Sequence, residues 1–280
     1  MSYNNLWGSD YWDGVARRMN GPIFQEQIAM YKRRLYLDLI SAWAPPVEDP
    51  IHRADREART LLKTDLFEEA FGKDLLLDSL KEKYSTTIGM DISYVVAEKA
   101  KKQVPGISCL TNDVCNLPFK NESFDLILSN STLDHLPFDM IPDAINELWR
   151  VLKQGGCMIL TLDSRHNPLH LLSHYIRRWM GGYHEEHCFT IQEATALLNK
   201  GRFQVSDITV ICHIPPGVNL MAKMLYKAIG PHSNRLIQYI IDIFHKVGQL
   251  PTRFITGRYI ALRAVKAIES EYKEKGLDSD

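Results

Sequence analysis

Cysteine is scarce and scattered: five in 280 residues, at 109, 115, 157, 188 and 212, with no CxxC pair. An odd total at such spacing argues against a disulfide framework or a structural zinc module, and for reduced, mostly buried thiols. Long apolar runs are missing as well. No stretch approaches the roughly 20 apolar residues of a spanning helix, and the opening MSYNNLWGSDYWDG has neither the basic start nor the apolar stretch of a secretory signal. A cytoplasmic protein without a transmembrane segment is expected. Charge of one sign is also lacking, because 33 Lys and Arg face 34 Asp and Glu. No overall field draws in nucleic acid or an anionic membrane, so no nucleic-acid partner is expected. Internal repeats and low-complexity segments are absent.

What the chain does have is an ordinary globular balance, 45% hydrophobic and 24% charged, which suits one elaborated domain over 1–280. Residues 11–45 read as helical, with Phe24, Ile28, Tyr31 and Leu35 at helical spacing until Ala44-Pro45-Pro46 stops the pattern. Together with the charged, solvated stretch 53–59, they form a helical cap over 1–59. From residue 60 short β-type runs alternate with amphipathic helices, the pattern of a doubly wound, mostly parallel α/β sheet. Seven strands are expected, over 60–63, 86–90, 108–110, 124–128, 157–162, 203–210 and 254–265.

Between the fourth and fifth, Ile141, Ala144, Ile145, Leu148 and Leu152 form an apolar stripe. That helix is expected to close at Lys153-Gln154-Gly155-Gly156 through a left-handed glycine. A helical insertion over 213–253 resembles a lid, with Leu220, Met224, Leu225, Leu236, Tyr239, Ile240 and Phe244 as its apolar contacts. Packing on the body of the domain is expected of it, rather than a membrane-surface role.

Ligands of open parallel sheets sit at the carboxyl ends of the strands, and here those positions are acidic. Asp65 follows the first strand, Asp91 closes the second and Asp113 follows the third. A carboxylate placed like Asp91 can accept two hydrogen bonds from ribose hydroxyls, which marks an adenosine site. Its bland alternative is a helix N-cap, since Asp91 and Ser93 both precede the helix of Val95, Val96 and Ala100.

Four blocks then carry a resemblance. They are Thr87-Ile88-Gly89-Met90-Asp91-Ile92-Ser93, Asn112-Asp113-Val114-Cys115-Asn116-Leu117-Pro118-Phe119, Ser123-Phe124-Asp125-Leu126-Ile127-Leu128-Ser129-Asn130 and Trp149-Arg150-Val151-Leu152-Lys153-Gln154-Gly155-Gly156. In this order and spacing, the run 60–163 resembles the class I S-adenosylmethionine (SAM)-dependent methyltransferases, in particular their small-molecule type 11 group. The resemblance implies a seven-stranded Rossmann-like sheet, SAM as cofactor and a small-molecule acceptor. It makes 60–163 the SAM-binding core and 164–280 the substrate-side half. It also implies that Asp91, with Ile92 beside it, holds the ribose, that Asp113 meets the adenine amino group with Val114 nearby, and that Ser129 and Asn130 line the methionine end. Asp125 reads as structural.

The first cofactor loop departs from that pattern. Where the family has closely spaced glycines, this chain has Lys63-Thr64-Asp65-Leu66-Phe67-Glu68-Glu69-Ala70-Phe71-Gly72, with Gly72 alone. Asp65-x-x-Glu68 has the form of a capping box, so Asp65 is either a cap or a contact to the cofactor's methionine amino group. Gly72 is the candidate close-approach glycine, and Lys63 and Thr64 are further candidate contacts. Glu68 and Glu69 would disfavour a substrate carboxylate unless they point away.

At the end of the fourth strand, Asp134 and His135 are candidate general bases, although aligning an acceptor with an already activated methyl group can itself supply about 7–11 kcal/mol; the alternative reading of His135 is a residue that only walls the pocket. Two histidine groups, His166, His170 and His174, then His184-Glu185-Glu186-His187 with Cys188, match no recognised zinc spacing, and no metal site is expected. Two rival readings are a nicotinamide-dependent Rossmann oxidoreductase and a degenerate methyltransferase fold kept as a binding protein. The first lacks its pyrophosphate-binding glycines and a Tyr-x-x-x-Lys pair.

Overall fold

The computed structural model describes residues 8–44, 59–73, 75–179 and 187–266. Pro45, Pro46, most of the charged stretch and residues 184–186 lie outside them. Helix α1 (Ser9–Arg18) and helix α2 (Glu26–Trp43) precede the sheet. The single helix expected over 11–45 is therefore two. The break falls where Gly21 takes a left-handed φ of 94° ahead of Pro22, and Phe24 lies in that connection rather than on a helix.

The sheet follows the expected plan. Its strands are β1 (Thr60–Lys63), β2 (Thr86–Asp91), β3 (Ser108–Thr111), β4 (Phe124–Asn130), β5 (Leu152–Asp163), β6 (Gln204–Ile211) and β7 (Tyr259–Val265). They are ordered β3-β2-β1-β4-β5-β7-β6. The first five pair in parallel, and β7 runs antiparallel to both β5 and β6. β7 begins later than expected, because 253–256 wind into a short helix, α11 (Arg253–Thr256), that takes in Phe254.

The period-two pleat sends Leu61 and Leu62 of β1 to opposite faces, and both are fully buried. On Leu61's face pack α2, α3 (Phe67–Phe71), α4 (Leu76–Leu80) and α5 (Tyr94–Gln103). On Leu62's face pack α6 (Ile141–Val151) and α8 (Ile191–Lys200), which follows α7 (Pro168–Trp179). The apolar stripe of α6 is buried as its spacing predicts. Its end differs from expectation: Leu152 is already extended, and Gly155, with φ of 71°, lies within β5, where its N–H bonds the Lys266 carbonyl at 2.8 Å. That glycine bends a strand start rather than capping a helix.

The insertion forms α9 (Val218–Ile229) and α10 (Asn234–Val247). It braces the cap: Asn219 accepts from the Gln25 N–H at 2.9 Å and donates to the Ile23 carbonyl at 3.0 Å, and His245 meets Tyr31 edge to face. Ala222 of α9 and Ile237 and Ile241 of α10 are buried, and Leu225 and Phe244 pack against the core as expected, whereas Leu220, Met224, Leu236 and Tyr239 face outward. The helical phase there is rotated from the one the sequence suggests, because the hydrophobic residues surround both helices. Among the described residues no helix is long and apolar enough to cross a membrane.

Candidate active site

β1 hydrogen-bonds β2 on one side and β4 on the other, so the order reverses there and leaves a crevice at the carboxyl ends of these strands. A cavity of about 480 Å³ opens at that point, within the usual range for small-ligand sites. Asp65, Asp91, Ile92, Asp113, Val114, Asn130 and His135 all line it. Gly72, Ser129 and Asp134 do not. The cap closes the opposite side with Tyr11, Trp12 and Val15 of α1 and Lys32 and Tyr36 of α2.

Each carboxylate accepts from backbone N–H groups of the strand-end loops. One oxygen of Asp91 accepts from the Ser93 N–H at 2.9 Å and the other from the Leu66 N–H at 3.0 Å, leaving a lone pair on each. The helix cap beside it is Ser93, which accepts from the Val96 N–H at 3.2 Å. Burial, reinforced by the nearby Asp65 charge, pushes the Asp91 carboxyl up to about 7 from its ordinary 3.8. Asp113 accepts from the Cys115 N–H at 2.8 Å. Asp65 accepts from the Phe67 N–H at 3.1 Å, whereas Glu68 reaches Lys32 instead of closing a capping box.

In place of closely spaced glycines, the first loop is held by buried charge. Lys63 donates to Glu69 at 2.8 Å and lies 3.3 Å from an Asp65 oxygen, with Lys63 only 1% and Glu69 0% exposed. Burial alone would lower the Lys63 ammonium, but Glu69 and Asp65 outweigh it and hold the pKa above the ordinary lysine value. Glu69 thus points away from the cavity and Glu68 is paired. A methyl group on Gly72 would meet the Glu68 carbonyl oxygen at 2.2 Å, so this glycine makes room for its own helix rather than for a ligand.

Two buried oxygens on the cavity wall, Asn130 Oδ1 and Ser131 Oγ, have no protein hydrogen-bond partner. Ser131 holds a left-handed φ of 47°. Unsatisfied groups and backbone strain of this kind cluster where a ligand binds. His135 also faces the cavity, with its ring 5.3 Å from that of Trp12. Asp134 is fully buried and accepts from the Asp163 N–H at 3.2 Å, while Asp125 ties Thr60 to Lys153.

A family model described as "Methyltransferase domain" matches residues 68–160. An uncharacterized methyltransferase of Oceanobacillus iheyensis is 25% identical over 158 residues, spanning 49% of this chain and 74% of its own. This chain carries a methyltransferase domain over residues 68–160. A second uncharacterized methyltransferase, from Anoxybacillus flavithermus, is 26% identical over 140 residues, 45% of this chain and 66% of that protein. The methyltransferase fold is shared with a SAM-dependent methyltransferase of Thermotoga maritima (TM-score 0.54, 19% identity, 85% and 91% covered). It is shared equally with geranyl diphosphate C-methyltransferase of Streptomyces coelicolor (TM-score 0.51, 13% identity, 84% and 77% covered). None of these four is an oxidoreductase.

Sequence reasoning missed much of this cavity's lining. Tyr11 and Trp12 come from a helix read only as cap, and Arg258 and Tyr259 come from the strand start that was set too early. An aromatic pair in the first helical turn was the one available signal.

Proposed function

We propose that the cavity binds SAM, with Asp91 accepting from the ribose hydroxyls, Asp113 and Val114 at the adenine, and Asp65 and Asn130 at the methionine end. The convergence of three strand-end carboxylates on one cavity carries this reading. SAM, when bound, supplies a methyl group already activated on sulfur; the chain's own residues bind, orient and exclude water. The rest of the lining is mixed: Ile23, Phe24, Tyr36 and Tyr259 beside the Lys32–Glu68 pair and Arg258. That suits a small, partly apolar acceptor methylated on oxygen, nitrogen or carbon. The geranyl diphosphate enzyme named above, with a small acceptor of its own, shares the fold.

Calorimetric titration with SAM tests the reading. The bound ribose needs the ionised carboxylate of Asp91, so affinity should rise roughly tenfold from pH 6 to pH 8, as expected for one linked proton leaving a group with a pKa of about 7. Equal affinity at both pH values, or none at millimolar SAM, contradicts it.

Of the two candidate bases, His135 is the one that reaches the cavity. His135→Ala should lower kcat about 100-fold or more for a hydroxyl or amine acceptor while leaving SAM affinity unchanged. A loss smaller than tenfold would make it a wall residue and leave catalysis to alignment.

A further inference from the structure

Two histidines of the first group and the cysteine that follows the second, far apart in sequence, meet in the fold. α7 carries His170 and His174 one turn apart, facing the end of β5, and the segment leading to α8 brings Cys188 back to the same place. His170 Nε2 lies 3.1 Å from an Asp163 carboxylate oxygen, His174 Nε2 lies 3.5 Å from that same oxygen, and the two Nε2 atoms are 3.1 Å apart. Cys188 Sγ is 3.9 Å from His174 Nε2. One ligand atom from each of the four residues falls within 4.8 Å of all the others.

Hydrogen bonding alone does not account for this arrangement. Each ring nitrogen is either a donor or an acceptor, and the carboxylate oxygen is an acceptor. Three atoms in mutual contact cannot alternate between the two roles, so one edge of the triangle always sets like against like. A cation at the centre removes the conflict, because all three then present lone pairs to it. The size also fits. With zinc bonds of about 2.0–2.1 Å to nitrogen or oxygen and about 2.3 Å to sulfur, a tetrahedron separates its N and O corners by about 3.3 Å and its N and S corners by about 3.6 Å. Charge is close to balanced: one carboxylate and one thiolate offset a divalent ion, with Arg258 Nε 3.7 Å from the other Asp163 oxygen as the remaining cation, at a site where Asp163 is 2% and His170 1% exposed.

We propose that Asp163, His170, His174 and Cys188 form a closed, tetrahedral structural zinc site. Four protein ligands leave no open position for a reacting group, so its role is to pin α7 and the segment before α8 to the end of β5. Those elements are already linked by backbone: the Phe189 N–H bonds the Asp163 carbonyl at 2.8 Å, and the His187 N–H bonds the Asp134 carbonyl at 2.7 Å. The site thereby braces the loop that presents His135 to the cavity. This departs from the expectation of no metal, which weighed the two histidine groups one at a time.

The test uses the full chain purified without added chelator. Elemental analysis should find one zinc per chain, and competition with a chromophoric chelator should show binding at least about 100-fold weaker in His174→Ala, since loss of outer-shell support alone costs about 10–100-fold. His174 and Cys188 are only half-buried, so these variants should fold, and circular dichroism checks that they do. Cobalt added to the metal-free chain should give the intense visible bands of a tetrahedral site plus a thiolate-to-cobalt absorption that Cys188→Ser removes. A wild-type chain that takes up neither zinc nor cobalt overturns the proposal. So does a cobalt spectrum that is octahedral, or one that Cys188→Ser leaves unchanged.

Discussion

Asp91→Asn should bind SAM about 10- to 150-fold more weakly than the wild type at pH 8. That range is the worth of hydrogen bonds to a charged group, about 1.5–3 kcal/mol, at 1.4 kcal/mol per tenfold. The substitution keeps the volume of the side chain and one carbonyl oxygen. It loses the charge that ribose hydroxyls would meet and turns an NH2 toward one of the two backbone N–H groups that Asp91 now accepts.

Two effects on stability oppose each other. The folded carboxyl sits at about 7, above its ordinary 3.8. Its neutral form therefore favours folding, and that contribution is full below pH 3.8 and lost as pH rises through 7. At pH 8 asparagine restores neutrality, while the mismatched N–H costs about 1–3 kcal/mol. The melting temperature should move little, so weaker binding cannot be ascribed to unfolding. The same variant should also lose the pH dependence of SAM affinity. Calorimetry and thermal melts of both proteins at pH 6 and 8 check this, and wild-type affinity in the variant would mean that Asp91 does not touch the cofactor.

The second large effect concerns the unusual first loop. Lys63→Met leaves the Glu69 carboxylate inside the protein without its cation, and breaking a buried pair in this way costs about 3–5 kcal/mol. Lys63→Met combined with Glu69→Gln should recover at least half of that loss, because the neutral amide can still accept from the Leu77 N–H, which Glu69 now meets at 3.4 Å. Urea unfolding of the wild type, the two single variants and the double variant measures the coupling. Strictly additive losses would show that the pair does not hold the loop.

The sheet was legible because each strand is short, β-rich and followed by a distinct helix signal. β1, with its two-faced Leu61 and Leu62, starts and ends where its sequence suggests. The strand-end acids were legible for the same reason: a carboxylate at, or within two residues after, the end of a parallel strand has few structural uses, and Asp65, Asp91 and Asp113 do meet at one cavity. What could not be read were contacts that depend on phase and return path. Residues 19–25 lack a strong break signal other than Gly21-Pro22, so two helices looked like one. The outward side chains of α9 and α10 are as apolar as the inward ones, which hides the buried face. Cys188 joins His170 and His174 only because β5, α7 and the segment before α8 fold back together, a proximity with no trace in local spacing.

Everything proposed for the cavity depends on carboxylates from successive strands holding one nucleoside. A crystal structure with S-adenosylhomocysteine tests it most directly. Ribose hydroxyls are expected within hydrogen-bonding distance of Asp91 and the adenine amino group at Asp113, with His135 beyond the sulfur. A nucleoside bound away from Asp91, or Asp91 and Asp113 contacting different molecules, would contradict it.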